Sequence, residues 1–165
     1  MNNPGKSIRD VYFNALSALG AGSFYLSDGN GNRITDGLGN LLITSSGGGT
    51  YTVFDDLPLE TLPQNYIYIN SIDYNQVGNN QLYVHDAVVT IDIVTRQYKK
   101  VDRDTVDAMA AEVMTAIIEG NLQDATYQII DVNLVSSRYL TNQDGAYFLT
   151  RNILRFQQNL IIHKN

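Results

Sequence analysis

Residues 82–118, LYVHDAVVTIDIVTRQYKKVDRDTVDAMAAEVMTAII, decide the fold. Val84, Val88, Val89, Ile91, Ile93 and Val94 are β-branched and clustered, so Leu82 to Arg96 reads as the strongest strand of the chain. Thr90 and Asp92 have the opposite parity to Val89, Ile91 and Ile93, which predicts one buried face and one wet face. A helix follows after a short polar turn. Val106, Met109, Ala110, Val113 and Ile117 recur at helical spacing, and Asp102 or Asp104 is placed to cap the first turn. Ala108, Ala110 and Ala111 are small enough for close contact with a sheet or second helix, and Gly120-Asn121 supplies the stop.

Working outward, Tyr127–Leu140 and Ala146–Ile162 read as two further strands joined at Asn142-Gln-Asp-Gly145. Upstream, Tyr66, Tyr68 and Ile72 alternate with Ile67, Ile69 and Ser71, a strand with large groups on both faces. Asn75 to Gln81 connects it to the central strand, and Val53 to Pro63 is extended or looped. At the N-terminus, Ile8, Val11, Tyr12, Ala15, Leu16 and Leu19 form one helical face, with Ser7 as the expected cap and Gly20 and Gly22 as the stop. The element order predicts an α+β domain spanning 1–165: a mostly antiparallel sheet flanked by two helices.

Residues 23–50 interrupt this pattern. Asp28-Gly-Asn-Gly-Asn-Arg-Ile-Thr35 and Asp36-Gly-Leu-Gly-Asn-Leu-Leu-Ile-Thr44 form a tandem near-repeat. Its Asp-Gly and Gly-Asn pairs favour tight turns and its Ile-Thr ends favour strands. The expectation is a small β-meander (Phe24–Ser27, Arg33–Thr35, Leu41–Thr44) on a Gly-rich tether, projecting as an arm against a neighbouring surface. Its apolar residues, Phe24, Tyr25, Leu26, Ile34, Leu38, Leu41, Leu42 and Ile43, are candidate interface residues.

The chain is poor in catalytic chemistry. It has no cysteine, only His85 and His163, eleven tyrosines and no tryptophan. Asp28, Asn30 and Asn32 mimic the start of a calcium loop, yet Arg33 and Gly39 stand where Gly and a bidentate Glu belong, so turn chemistry explains the repeat. Asp55, Asp56 and Glu60 form the one tight carboxylate group, next to Leu-Pro, where a solubilising loop is the plainer reading. His85 and Asp86 are adjacent in a strand and must point to opposite faces. No phosphate loop, nucleophile elbow or dinucleotide fingerprint is present. The expectation is a protein without enzymatic activity, cofactor or metal.

The net charge of −6 is unevenly spread. Residues 1–93 carry three bases (Lys6, Arg9, Arg33) against nine acids, whereas residues 94–165 carry eight of each. Arg96, Lys99, Lys100 and Arg103 cluster just before the second helix, with Asp102 and Asp104 among them. This pattern suits a solvated turn or subunit contact better than nucleic-acid binding. An acidic surface repels a duplex, although it can line a pore through which DNA passes without being gripped. Met1 to Lys6 is polar and lacks the apolar core of a signal peptide, so the product is expected to stay in the cytoplasm or be assembled there, with no membrane partner.

The N-terminal helix, NYIYINSI, HDAVVTIDIVTR, DTVDAMAAEVMTAII and the closing hairpin QIIDVNLVSSRYLTNQDGAYFLTRNILRFQQNL together resemble the tail-completion or tail-terminator family of tailed bacteriophages. The resemblance covers roughly residues 5–19 and 51–162 and rests on hydrophobic patterns. Two features depart from it: Ile93-Val94-Thr95-Arg96 replaces the usual apolar-aromatic strand end, and the 23–50 insertion has no counterpart. The resemblance implies a structural virion protein forming a homo-oligomeric ring, hexameric by preference, at the head–tail junction or tail top. Such a ring would stop tail growth and dock neck, connector or tail-tube proteins, with assembly in the host cytoplasm. The tyrosines and the arm suit half-buried interfaces of that kind. The rival readings are a calcium-dependent glycan-binding module built on the Asp-Gly repeat, and a small hydrolase using Asp55, Asp56 or Glu60.

Overall fold

The computed structural model describes residues 4–19, 23–25, 43–45, 51–57, 62–76, 84–120, 122 and 127–162. The elements run α1 (Pro4–Leu19), β1 (Ser23–Tyr25), β2 (Ile43–Ser45), β3 (Thr52–Phe54), β4 (Asn65–Gln76), β5 (Val84–Tyr98), α2 (Arg103–Ile118), β6 (Tyr127–Asp144) and β7 (Tyr147–Ile162). The main sheet has the order β3-β4-β5-β7-β6, with β3 parallel to β4 and every other pair antiparallel. This is the α+β architecture expected from the sequence, with β5 at its centre.

Both helices lie on one face. The α1 stripe Ile8, Tyr12 and Leu16 is fully buried against the same core as Val106, Met109, Ala110, Val113 and Ile117 of α2. Opposite them stand Ala87, Val89, Ile91 and Ile93 of β5 and Leu154, Phe156 and Leu160 of β7. Full burial of each Leu- or Ile-sized side chain contributes roughly 1.5–3 kcal/mol. The Tyr12 hydroxyl donates to Gln158 Oε1 at 2.7 Å, tying α1 to β7 inside the core.

α1 begins at Pro4, not after Ser7 as the capping pattern suggested. Proline suits the first turn because the amide it lacks would have no helical acceptor there. Gly20 and Gly22 lie outside the described residues. For α2 the cap is Asp102, whose carboxylate accepts from the Thr105 backbone N–H. At the other end, any side chain at Gly120 would collide with the Ala116 carbonyl oxygen.

Register shifts overturn part of the strand reading. In β4 the ladder slips between Ile69 and Ser71, so Asn70 is the extra residue. Ile72 therefore joins Ile67 and Ile69 on the helix-covered face, and Ser71 turns outward. A simple alternation had placed Ile72 with the tyrosines. β6 slips twice, at Ile130 and at Val135, which lets Ile129, Val132 and Leu134 all reach the core. The bulged residues themselves are 57% and 55% exposed.

The second face of β5 is not uniformly wet. Asp92 is only 3% exposed, and Phe54, Tyr66 and Val94 form a small second core beside it. Leu57, Leu62, Tyr68 and Leu149 pack around that cluster, so β5 is buried on both sides from Ile91 to Thr95. β5 also runs two residues further than Arg96, and β6 and β7 stay paired through Asp144 and Tyr147. The hairpin loop is thus Gly145-Ala146, with Gly145 at φ 60°, where glycine carries no steric penalty. Of the 23–50 insertion, the described part is a short antiparallel ladder, Ser23↔Ser45 to Tyr25↔Ile43.

Candidate assembly interface

One end of the sheet gathers four bases and two tyrosines. β5 leaves the sheet at Tyr98 and enters α2 at Arg103, and the β6–β7 hairpin turns beside it. The Lys99 N–H donates to the Ala146 carbonyl at 2.8 Å, which joins the two turns. Lys99 sits at φ 58°, in the left-handed region that non-glycine residues adopt at a cost. Register then pairs Tyr98 with Tyr147 directly across the strands. Their rings meet edge to face at 5.4 Å, the Arg96 guanidinium lies 4.3 Å above the Tyr147 ring, and Lys99 Nζ lies 5.0 Å from that of Tyr98.

This end is exposed although much of it is apolar: Tyr98 is 56%, Val101 42% and Tyr147 40% accessible. The Arg96–Asp144 pair at 3.8 Å is exposed on both sides and adds little stability. Asp102 anchors the turn from below. It accepts from the Thr105 N–H and hydroxyl and from the Gln97 amide, while its own N–H donates to the Thr150 hydroxyl. Burial alone would raise the Asp102 carboxyl. The Thr105 hydrogen bonds, the Lys100 charge and the Gln97 amide outweigh it and hold the group below its ordinary value.

Of the four bases singled out in the sequence, Arg96 and Lys99 lie over the Tyr147 and Tyr98 rings, whereas the Lys100 charge acts on Asp102 and that of Arg103 on Tyr139. Tyr147 is the partner that local patterns do not reveal, since it is joined to Tyr98 only by strand register. Phe24, Tyr25 and Ile43 lie on the β1–β2 ladder, while Leu26, Ile34, Leu38, Leu41 and Leu42 fall outside the described residues. So do the Asp28 loop and Glu60. Among the described residues no group of three or more His, Asp or Glu could hold a metal ion, and no helix is long and apolar enough to cross a membrane.

Beside the cluster, on the face without helices, a cleft of about 210 Å³ is lined by Leu57, Tyr66, Tyr68, Asn70, Asn142 and Leu149 around Asp92 and Arg151. Arg151 pairs with Asp92 Oδ2, and Asn70 Nδ2 lies 3.4 Å from the same oxygen. Burial pushes the Tyr66 phenol up, the Arg151 charge opposes that shift, and the Asp92 charge adds to it. His85 points to the helix-covered face and Asp86 to the other, where it accepts from Gln157. The two do not form a catalytic pair.

The fold has a solved counterpart. A chain in the virion of a native gene transfer agent (GTA) particle matches with a TM-score of 0.56 and 17% identity, over 68% of this chain and 80% of that one. Known structures include 32 matching chains. No family model matches the sequence, and no curated protein matches it. At this identity the likeness is one of fold.

Proposed function

We propose that this chain is a structural component of a phage-like virion, assembling into a closed ring at the head–tail junction or tail top. The observation that carries the reading is the fold shared with a chain of a gene transfer agent virion. The exposed Tyr98–Tyr147 cluster with its bases adds support, because tyrosine and arginine are enriched where protein surfaces meet. The ring terminates the tail and presents a docking face to neck or connector proteins, with the 23–50 segment reaching a neighbour. It needs no covalent chemistry.

Two experiments test this. Negative-stain microscopy of the purified chain should give closed rings, and loss of the gene should give tails of unregulated length or heads without tails. Particles of normal morphology lacking the gene, or a single copy at the junction, would refute the proposal.

A further inference from the structure

The two halves of β6 leave the edge of the sheet in different states. β6 is the last strand in the order β3-β4-β5-β7-β6, and no described strand lies beyond it. Its first half is broken by the shifts at Ile130 and Val135. From Ser136↔Arg155 to Asp144↔Tyr147 the register then runs through nine residues without a slip. Every second residue of such a run turns its N–H and C=O away from β7, toward the free side. Natural sheets blunt such edges with bulges, prolines, lysines or very short strands. Ser136-Ser-Arg-Tyr-Leu-Thr-Asn-Gln-Asp144 has none of these, and all of it but Leu140 is exposed. One half of the strand is blunted and the other is not.

The side chains of the regular half select what can pair with it. Arg138, Leu140, Asn142 and Asp144 share the face without helices, and Ser137, Tyr139, Thr141 and Gln143 share the face that carries α2. The Tyr139 hydroxyl donates to Asp107, which holds this stretch against the helix. Arg138 makes no hydrogen bond or ion pair among the described residues. Asp144 has one ionic neighbour, Arg96 at 3.8 Å, and its side chain stays 77% exposed, so the carboxylate is open to a second donor. When a second copy lays the same stretch antiparallel, centred on Thr141, Arg138 of each copy stands directly opposite Asp144 of the other. Symmetry makes that pair twice. Thr141 then opposes Thr141, Tyr139 opposes Gln143, and no like charges face each other. Centring on Leu140 would leave Arg138 opposite Asn142, and a parallel pair in register would set Arg138 against Arg138.

We propose that two copies of this chain pair edge to edge along Arg138–Asp144 of β6, antiparallel, so that two five-stranded sheets become one continuous sheet. The partner is a second copy, recognised by the row of backbone donors and acceptors and by the two Arg138–Asp144 pairs. Pairing covers the regular part of the β6 edge, which is otherwise a template for aggregation. The contact is isologous, whereas a ring of more than two subunits closes through heterologous contacts. It therefore goes beyond the ring reading and stands or falls separately from it.

The chain has no cysteine, so single cysteines in the full chain report the contact cleanly. Thr141→Cys places a thiol on the two-fold axis, where directly opposed residues have Cα atoms about 4.5–5.5 Å apart, within disulfide range. Gln143→Cys is the control, because its own counterpart then lies about 14 Å away along the strand. After equilibration in a glutathione redox buffer, Thr141→Cys should run as a covalent dimer on a non-reducing gel and Gln143→Cys as a monomer. Arg138→Asp sets like charges opposite each other twice and should weaken dimerisation about tenfold in sedimentation equilibrium. Arg138→Asp/Asp144→Arg restores both pairs and should return to within about threefold of the parent. All these side chains are exposed, so the variants should keep the parental circular dichroism and melting temperature. Thr141→Cys cross-linking no better than Gln143→Cys, or a charge-swapped variant as dissociated as Arg138→Asp, would overturn the edge pairing. Rings formed by a chain whose Thr141→Cys variant does not cross-link would refute this contact and leave the ring standing. A cross-linked dimer without rings would do the reverse.

Discussion

The Asp92–Arg151 pair offers a direct test of how the open face is built. The Asp92 side chain is 4% exposed and that of Arg151 29%. Oδ2 receives Arg151 and a long contact from Asn70, whereas Oδ1 has no hydrogen-bond partner among the described residues. Replacing Arg151 with Met keeps volume and removes the charge, leaving a desolvated carboxylate with one weak donor. Breaking a buried pair from one side costs about 3–5 kcal/mol. A domain of this size has only about 5–15 kcal/mol in hand, so the loss should be large in urea denaturation at pH 7. The double variant Asp92→Leu/Arg151→Met removes both charges and should recover most of the deficit, since apolar replacements of whole buried pairs are often neutral or stabilising. Arg151→Met within about 1 kcal/mol of the parent at pH 7 would refute this account, because the pair would then be solvated.

Three further outcomes follow from particular contacts. Asp102→Ala removes the α2 cap and the Gln97 and Thr105 bonds, and should lower stability by about 1–2 kcal/mol. Because the Asp102 carboxyl is held below its ordinary value, its contribution is complete above about pH 4 and lost as the pH falls through that lowered value. Thus the Asp102→Ala deficit, read by thermal melting across pH, should shrink in acid. Burial lowers the His85 imidazole, so the unfolded chain protonates first and stability should fall below about pH 6.5; His85→Gln should flatten that slope in the same melting series. Lys99→Gly relieves the left-handed backbone at φ 58°, and should be neutral or stabilising by up to about 1 kcal/mol in urea titration despite losing a charge.

What the sequence makes legible is the local pattern. The α1 stripe, the β5 run and the α2 periodicity each declare themselves within about fifteen residues, since helix and strand periods are local properties. Bulges are not local in that sense. Nothing in NYIYINSI marks Asn70 as the residue left out of the ladder, and only pairing with Ile91 and Thr90 shows that Ile72 points inward. Asp92 looked like a solvent-facing residue because its partner, Arg151, is remote in sequence and arrives through β7. The same holds for the aromatic–cationic cluster. Four bases were visible in the β5–α2 turn, but Tyr147 joins them only because the register of a long antiparallel pair ends at Tyr98.

The edges of the sheet bear on where copies of the chain can meet. A long edge strand is a template for pairing with another chain, and β6, at 18 residues, is the longest edge the sheet presents. It carries bulges at Ile130 and Val135, which break the row of evenly spaced donors and acceptors that an incoming strand would need. The opposite edge, β3, is three residues long. Beyond Tyr68 the register gives β4 no partner in β3, and the shift at Asn70 interrupts that stretch as well. The first half of β6 and the short β3 are thus poor templates for extending the sheet, whereas Ser136–Asp144 keeps an unbroken register and leaves a regular edge. The helices occupy one face. Exposed tyrosine and aliphatic side chains, Tyr98, Val101 and Tyr147 among them, lie at the strand ends instead.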